Sequence, residues 1–193
     1  MSIEKLKQLR AETGIPMMDC KNALEEAKGD IEKAKKILRE KGKEMLKDRK
    51  GKTASAGVVS SYIHANGKIG VLLQLLCESD FVAQSEEFKK LAHELCLQIA
   101  ASKPLFVRKE DISEEFLDGE RKIYEKQIEG SGKPKEITEK IIQGKIEKYK
   151  KEVSLLSQEW VKDTTKTVQD LIDDYRAKIG EKIEVGEFVR YEI

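Results

Sequence analysis

The chain has 193 residues, of which 37 are Lys or Arg and 36 are Asp or Glu, so its formal net charge is +1. A nearly neutral total gives no long-range field that would attract nucleic acid or an anionic membrane. No apolar run reaches the roughly 18–20 residues of a membrane span, and the N-terminal M-S-I-E-K-L-K lacks the apolar core of a signal peptide. We therefore expect a cytoplasmic protein without direct nucleic-acid or membrane partners.

Residues that could support enzyme chemistry or hold a metal are few and scattered. Cys20, Cys77 and Cys96 lie in apolar contexts typical of reduced cytosolic thiols, and only His93 and Cys96 are close in sequence. Neither phosphate-binding pattern, G-x-x-x-x-G-K-[ST] or G-x-G-x-x-G after a strand, is present. No nucleophile stands in a pattern that pairs it with a histidine base. The sequence predicts a protein that is not an enzyme and has no metal or cofactor.

The first 42 residues predict three short helices. Apolar residues repeat at helical spacing, and a glycine stands where each helix should end, at Gly14, Gly29 and Gly42. Asp19 and Asp30 are placed to cap the second and third helices. We interpret residues 1–42 as a ubiquitin-associated-like bundle, which is a binding module.

The connection G-I-P-M-M-D between the first two helices contains large apolar side chains in a turn. Met17 and Met18 could fill the gap between helices. Alternatively, they could form an adaptable surface that docks onto a partner helix. Both interpretations fit the sequence.

Residues 43–56 are basic at first and then small and polar, which is typical of a solvated linker. Beyond them the apolar period changes to two, and Asn66-Gly67 predicts a β-hairpin with a type I′ turn. The expected register places Tyr62 opposite Val71 and Ser60 opposite Leu73. Because Leu72 and Leu76 also make the second face of this strand apolar, we expect a central strand covered on both sides.

The remaining elements complete an α+β core over residues 57–193. The C-terminal G-E-F-V-R-Y-E-I alternates like a strand and is the candidate neighbour of the central strand. Amphipathic helices are predicted after Ser85 and after Thr167, and both should cover the sheet. Segments 114–129 and 134–150 predict a helical hairpin that restarts at Pro134. The fold class is thus a three-helix bundle followed by a small antiparallel sheet covered by helices.

A carboxylate and a phenyl ring stand side by side where the central strand ends, in E-S-D-F-V-A at 78–83. Asp80 could cap the next helix with Phe81 as its apolar anchor. The other interpretation is an exposed ring that becomes buried only in a partner. The local sequence allows both.

Several segments together resemble the elongation factor Ts family, in order and over nearly the whole chain. They are T-G-I-P-M-M-D-C-K-N-A-L-E-E-A-K-G-D at 13–30, S-D-F-V-A at 79–83, A-S-K-P at 101–104, S-G-K-P-K-E-I at 131–137 and D-T-T-K-T-V at 163–168. The resemblance implies a guanine nucleotide exchange factor that binds elongation factor Tu in its GDP-bound and nucleotide-free forms. It also implies that no bond is made or broken.

The resemblance further implies which residues contact the partner. Ser79, Asp80, Phe81 and Val82 match the family motif that enters the GTPase near its magnesium and phosphate site. The resemblance also implies an N-terminal docking surface formed by Met17, Met18 and Lys21. It implies a short contact with the GTPase domain through Val161 and Lys162. His64 matches a position at the tip of the hairpin.

Two departures and one length argument accompany the resemblance. Ser79 stands where the family more often has Thr, which keeps the hydroxyl, and Q-E-W-V-K at 158–162 differs from the commoner Q-P-F-V. Longer members have a duplicated core, whereas this chain has room for one sheet module. It therefore resembles the short form, and we expect a homodimer with two GTPases bound.

Two alternatives come from other functional classes. One is an RNA-binding protein that uses Lys145, Lys148, Lys150 and Lys151, although glutamates alternate with these lysines. The other is an adaptor in which residues 1–42 carry the function and the second domain is structural.

Overall fold

The computed structural model describes residues 2–48, 53–129 and 134–193, with the backbone alone for 42–48. It confirms the α+β class. The helices are α1 (Ile3–Thr13), α2 (Met17–Glu26), α3 (Ile31–Asp48), α4 (Asp80–Gln84), α5 (Glu86–Ser102), α6 (Glu114–Ile128), α7 (Lys135–Val153) and α8 (Val168–Ile179). The strands are β1 (Ala56–Ile63), β2 (Ile69–Cys77), β3 (Glu159–Trp160), β4 (Asp163–Thr167) and β5 (Ile183–Glu192). Within these ranges, no helix combines the length and apolar content that crossing a bilayer requires.

Helices α1 to α3 form the predicted N-terminal bundle around a small apolar core. Helix α1 ends at Gly14, which takes the left-handed conformation with φ of 69°. Asp30 caps α3 as predicted, since its Oδ1 accepts a hydrogen bond from the Lys33 N–H at 3.0 Å. The buried side chains of this bundle are Leu9, Ile15, Cys20, Ala23, Leu24, Ala27, Ala34 and Leu38.

Two predicted helix boundaries in this bundle are wrong. Asp19 does not cap α2, because the helix begins at Met17 after Pro16, and Asp19 lies in its first turn. Helix α3 does not end before Gly42 but continues to Asp48, so residues 43–48 of the predicted linker are helical. A glycine inside a helix costs only about 1 kcal/mol relative to alanine, and the good helix formers that follow offset this. Residues 49–52 of the linker lie outside the described residues.

The three-stranded antiparallel sheet has the order β1–β2–β5, so β2 is central as predicted. Tyr62 pairs with Val71 and Ser60 with Leu73, which confirms the register. The type I′ turn is wrong, because positive φ is found at Gly67 but not at Asn66. Instead, the His64 N–H donates to the Ile69 carbonyl at 2.9 Å and closes a loop of residues 65–68, and the Gly67 N–H donates to the His64 carbonyl at 2.8 Å. This loop is centred on the same point in the chain, and the register is therefore unchanged.

One face of the sheet is covered by helices and the other is open. The inner face of β2, from Val71 to Cys77, packs against α5 in a core that includes Phe88, and α8 packs on α5 and adds Leu171 and Ile172 to this core. The outer face carries exposed apolar side chains, with Leu72 49% exposed at its centre. The prediction that β2 is covered on both sides is therefore wrong for a single chain. The exposed apolar side chains on the strands of this open sheet face are Val59, Ile63, Leu72, Val189 and Tyr191.

The N-terminal bundle docks onto the core through α3 and α8. Arg39 of α3 forms ion pairs with Asp170 and Asp174 of α8. The apolar part of Ala177 packs on the bundle core, and the stem of Lys178 lies against Gly14. These contacts fix the direction in which the bundle presents its outer surface.

Helices α6 and α7 pack together as the predicted hairpin, although the segment 130–133 between them lies outside the described residues. Pro134 is the residue before α7 rather than its first helical residue. The rings of Phe106, Phe116 and Tyr149 join the hairpin to the rest of the core.

Candidate functional site

The turn of residues 79–82 connects the central strand to the five-residue helix α4. Ser79 caps α4, because its Oγ accepts a hydrogen bond from the Val82 N–H at 3.3 Å. Val82 is 7% exposed and packs into the main core, whereas Phe81 is 87% exposed. The interpretation with Asp80 as cap and Phe81 as apolar anchor is therefore wrong. The anchor is Val82, and the phenyl ring points to solvent.

A carboxylate from the far end of the chain holds this turn. The Ser79 N–H donates to Glu181 Oε2 at 3.1 Å, and the Ser79 hydroxyl donates to Glu181 Oε1 at 2.6 Å. Alongside, the Lys182 N–H donates to Glu78 Oε1 at 2.8 Å. Sequence reasoning missed Glu181. The signal lay in the strand pairing, since Cys77 pairs with Ile183 and the same register two residues further on faces Ser79 with Glu181.

Cys77 lies beneath the turn but is not a nucleophile. Its thiol donates to the Ser79 carbonyl at 3.2 Å, and its side chain is fully buried. Burial raises the pKa of the Cys77 thiol, and the nearby Glu181 and Asp80 carboxylates raise it further. The neutral thiol is favoured at physiological pH, which indicates a structural role.

The predicted N-terminal docking residues lie on one exposed part of α2. Met17 is 36% exposed and Met18 is 63% exposed, so these side chains do not fill the gap between helices. Ile15, at 9% exposure, fills it instead. Lys21 follows one turn along the helix and lies 4.0 Å from Glu25. Of the two interpretations of the methionines, the exposed surface agrees with the structure.

Val161 and Lys162 form the tip of the small ribbon made by β3 and β4. The Val161 N–H donates to Oε1 of Gln98, which is fully buried, at 2.9 Å. Lys162 Nζ lies 2.8 Å from a carboxylate oxygen of Glu94 on the same helix α5. Gln98 also donates to Oε1 of Gln158 at 3.2 Å. The ribbon tip is thus exposed but anchored by buried polar groups.

His64 follows β1 at the hairpin tip and is exposed. Its Nδ1 lies 2.9 Å from the Tyr62 hydroxyl. The Tyr62 ring also contacts the exposed His93 edge to face, with centroids 6.1 Å apart. His93 is therefore a surface residue that supports the hairpin through an aromatic contact.

The predicted contact residues thus fall into four separate groups: the turn, the exposed part of α2, the ribbon tip and the hairpin tip. No hydrogen bond or ion pair joins one group to another in the described part of the chain. A small ligand could not touch all four. The arrangement suits a macromolecular partner that contacts several surfaces.

Comparison with known proteins decides the family. A family model described as elongation factor TS matches residues 4–193. The chain belongs to the elongation factor Ts family. It is 50% identical to the elongation factor Ts of Desulforamulus reducens over 193 residues, which is all of this chain and 89% of that protein. The elongation factor Ts proteins of Thermotoga petrophila and Thermotoga maritima are 50% and 49% identical over the whole chain, with 96% of each covered.

The similarity to these elongation factor Ts proteins extends over the whole of this chain. Because the chain spans 89–96% of these proteins, the match covers the bundle, the sheet core and the hairpin together. The family resemblance drawn from short motifs is thereby confirmed. Membership assigns the chain to translation elongation.

Proposed function

We propose that this chain is the guanine nucleotide exchange factor of elongation factor Tu and promotes GDP release by inserting the Asp80–Phe81 turn near the magnesium and phosphate site. The observation that supports this most is the position of Phe81. A phenyl ring that is 87% exposed stands on a turn whose first residue, Ser79, is held by Glu181, next to the buried Val82. This role places the chain in the cytoplasm.

The Phe81 ring supplies a driving force that is realised only in the complex. Burying an exposed phenyl ring is worth roughly 1.5–3 kcal/mol, and a partner must open a pocket to receive it. Asp80 is exposed beside the ring. A carboxylate brought next to bound Mg²⁺ and phosphate competes with their existing contacts and weakens ion binding.

Exchange follows from thermodynamic linkage between the two binding events. If the factor binds nucleotide-free elongation factor Tu more tightly than the GDP form, GDP binding is weakened by the same factor. No chemical bond needs to change. The chain therefore acts as a binding protein rather than as an enzyme.

The other three groups would hold the GTPase while the turn enters it. Met17 and Met18 provide an exposed, adaptable apolar surface, with Lys21 beside them. Val161 and Lys162 would contact the GTPase domain from the ribbon tip, and His64 would contact the partner from the hairpin. These contacts are divided between residues 1–42 and the core 57–193, so the exchange function requires both domains. The adaptor alternative requires only residues 1–42.

A homodimer is also part of the proposal. The open sheet face exposes five apolar side chains on three adjacent strands, and it lies in the same sheet that carries the turn at its end. Exposed contiguous apolar surface of this kind marks association sites. A second copy packed face to face would cover the open face of both sheets. Strand β2 would then be covered on both sides, as the sequence predicts. Each protomer of the dimer would then present one Phe81 turn.

An RNA-binding role has less support. Lys148 and Lys150 of α7 pair with Glu152 and Glu147, and Lys145 donates to Gln127. Lysines paired with neighbouring carboxylates make a mixed-sign surface rather than a phosphate-binding stripe.

The linkage can be measured without following exchange itself. Calorimetric titration of elongation factor Tu should give a lower Kd for the nucleotide-free GTPase than for the GDP-loaded GTPase. The ratio of these values should equal the ratio of GDP affinities measured without and with the factor. Equal affinity for both forms would contradict the exchange function.

A further inference from the structure

We propose that Glu181 is a positioning residue for nucleotide exchange, which acts through Ser79 to hold the Phe81 turn in the conformation that enters the partner. This proposal rests on the proposed function. It assigns a role to a residue 102 positions away from the turn in sequence.

The contact between Glu181 and Ser79 fixes the start of the turn in two ways. One carboxylate oxygen accepts the Ser79 N–H at 3.1 Å, and the other accepts the Ser79 hydroxyl at 2.6 Å. Hydrogen bonds to an ionised carboxylate are shorter and stronger than those between neutral groups. Both the backbone and the side chain of Ser79 are therefore held by a single group.

The orientation of the Ser79 hydroxyl passes the constraint on to α4. Because its hydrogen points to Glu181, its oxygen lone pairs are available to accept from the Val82 N–H, at 3.3 Å. The chain of hydrogen bonds thus runs from Glu181 through Ser79 to Val82. Phe81 lies in the chain between Ser79 and Val82, the two residues that the last of these hydrogen bonds joins.

The segment that carries Glu181 is itself fixed. Helix α8 ends at Gly180, which takes the left-handed conformation with φ of 77°, and the chain turns there into β5. Lys182 then donates its N–H to Glu78, and Ile183 pairs with Cys77. Glu181 is consequently presented by a turn that is secured on both sides.

Helix α4 needs such support because it has only five residues. Helices this short are unstable alone, since nucleation fixes several dihedrals for very few hydrogen bonds. Val82 and Ala83 are buried and anchor one side of α4. Asp80 and Phe81 are exposed, so burial does not hold them in place in the free chain. A preformed turn binds more tightly and faster than one that must be ordered on binding.

The test uses the full chain and measures the second-order rate constant for release of a fluorescent GDP analogue from elongation factor Tu. We expect Glu181→Ala to lower this rate constant by about fivefold or more, because both hydrogen bonds are lost. Glu181→Gln should give a smaller loss, since its amide oxygen still accepts from the hydroxyl while its NH₂ group cannot accept from the N–H. Asp118→Ala removes the same charge from an exposed site on α6 and should match the native protein.

A double-mutant cycle with Phe81→Ala separates positioning from a general structural role. If Glu181 acts through the turn, Glu181→Ala should cause less than about a twofold further loss in the Phe81→Ala background. Hydrogen exchange at the Val82 amide should be faster in Glu181→Ala than in the Asp118→Ala control.

Three results would overturn the proposal in distinguishable ways. A full Glu181→Ala loss that persists in the Phe81→Ala background would show that Glu181 supports another part of the protein. A native rate in Glu181→Ala, with Phe81→Ala slow, would remove the positioning role and leave the proposed function intact. A native rate in Phe81→Ala itself would contradict the insertion mechanism and this proposal with it.

Discussion

Replacing Phe81 by alanine is expected to slow the GDP release stimulated by this chain by about tenfold or more. The ring is worth roughly 1.5–3 kcal/mol when buried, and a loss of about 1.4 kcal/mol in the transition state is a tenfold loss in rate. Because Phe81 is 87% exposed, the free protein gains almost no stability from it. The thermal unfolding midpoint of Phe81→Ala should therefore match that of the native chain, and the change in rate reports binding alone.

Leu105→Ala is the matched control for Phe81→Ala. Leu105 is also a large apolar residue on the surface, at 57% exposure, but it lies in the loop after α5. Its removal should leave the stopped-flow release rate unchanged at every factor concentration. A folded Phe81→Ala variant that releases GDP as fast as the native protein would contradict insertion of the ring.

Replacing Leu72 by aspartate is expected to convert the proposed homodimer into monomers. Leu72 lies on central strand β2 between its paired neighbours Ser61 and Val189, in the middle of the open sheet face. A carboxylate buried between two sheets without a partner costs several kcal/mol, and the two-fold symmetry of a dimer would bring in two of them. In a single chain Leu72 is 49% exposed, so an aspartate at this position would contact water and the variant should remain folded.

Sedimentation equilibrium at micromolar concentration measures this directly. The native chain should have twice the 22.0 kDa mass of one chain, and Leu72→Asp should have the mass of a single chain. Leu105→Asp places the same charge at a comparably exposed site outside the sheet and should remain dimeric. A native protein that sediments as a monomer would refute the homodimer.

The register of the β1–β2 hairpin could be predicted because alternation and a central turn fix it together. The sequence predicts that β5 lies beside β2 but does not predict their register. The register shifts between Leu73 and Leu75. Gly186 lies opposite this irregularity, where an added Cβ would be 2.3 Å from Oε1 of Gln74. A bulge of this kind depends on tertiary contacts, and a single glycine in the sequence does not specify it.

The sequence indicates candidate contact residues, but it does not show which of them are exposed. In S-D-F-V, both Phe81 and Val82 are apolar, and local sequence allows either to be the anchor. The exit direction of β2 decides it, because Val82 faces the core and Phe81 faces solvent. Glu181 was missed because its contact depends on how β5 returns beside β2 across 102 residues. The sequence predicts too short a helix α3, because a glycine such as Gly42 is typical of a helix end although the residues that follow it are good helix formers.

This member of the elongation factor Ts family is expected to accelerate nucleotide release from elongation factor Tu. The most direct measurement is stopped-flow release of a fluorescent GDP analogue from purified elongation factor Tu, mixed with excess unlabelled GDP and increasing native protein. The exchange function predicts a rate that rises with factor concentration and then saturates, far above the spontaneous rate. A release rate that stays at the spontaneous value at every concentration would contradict it.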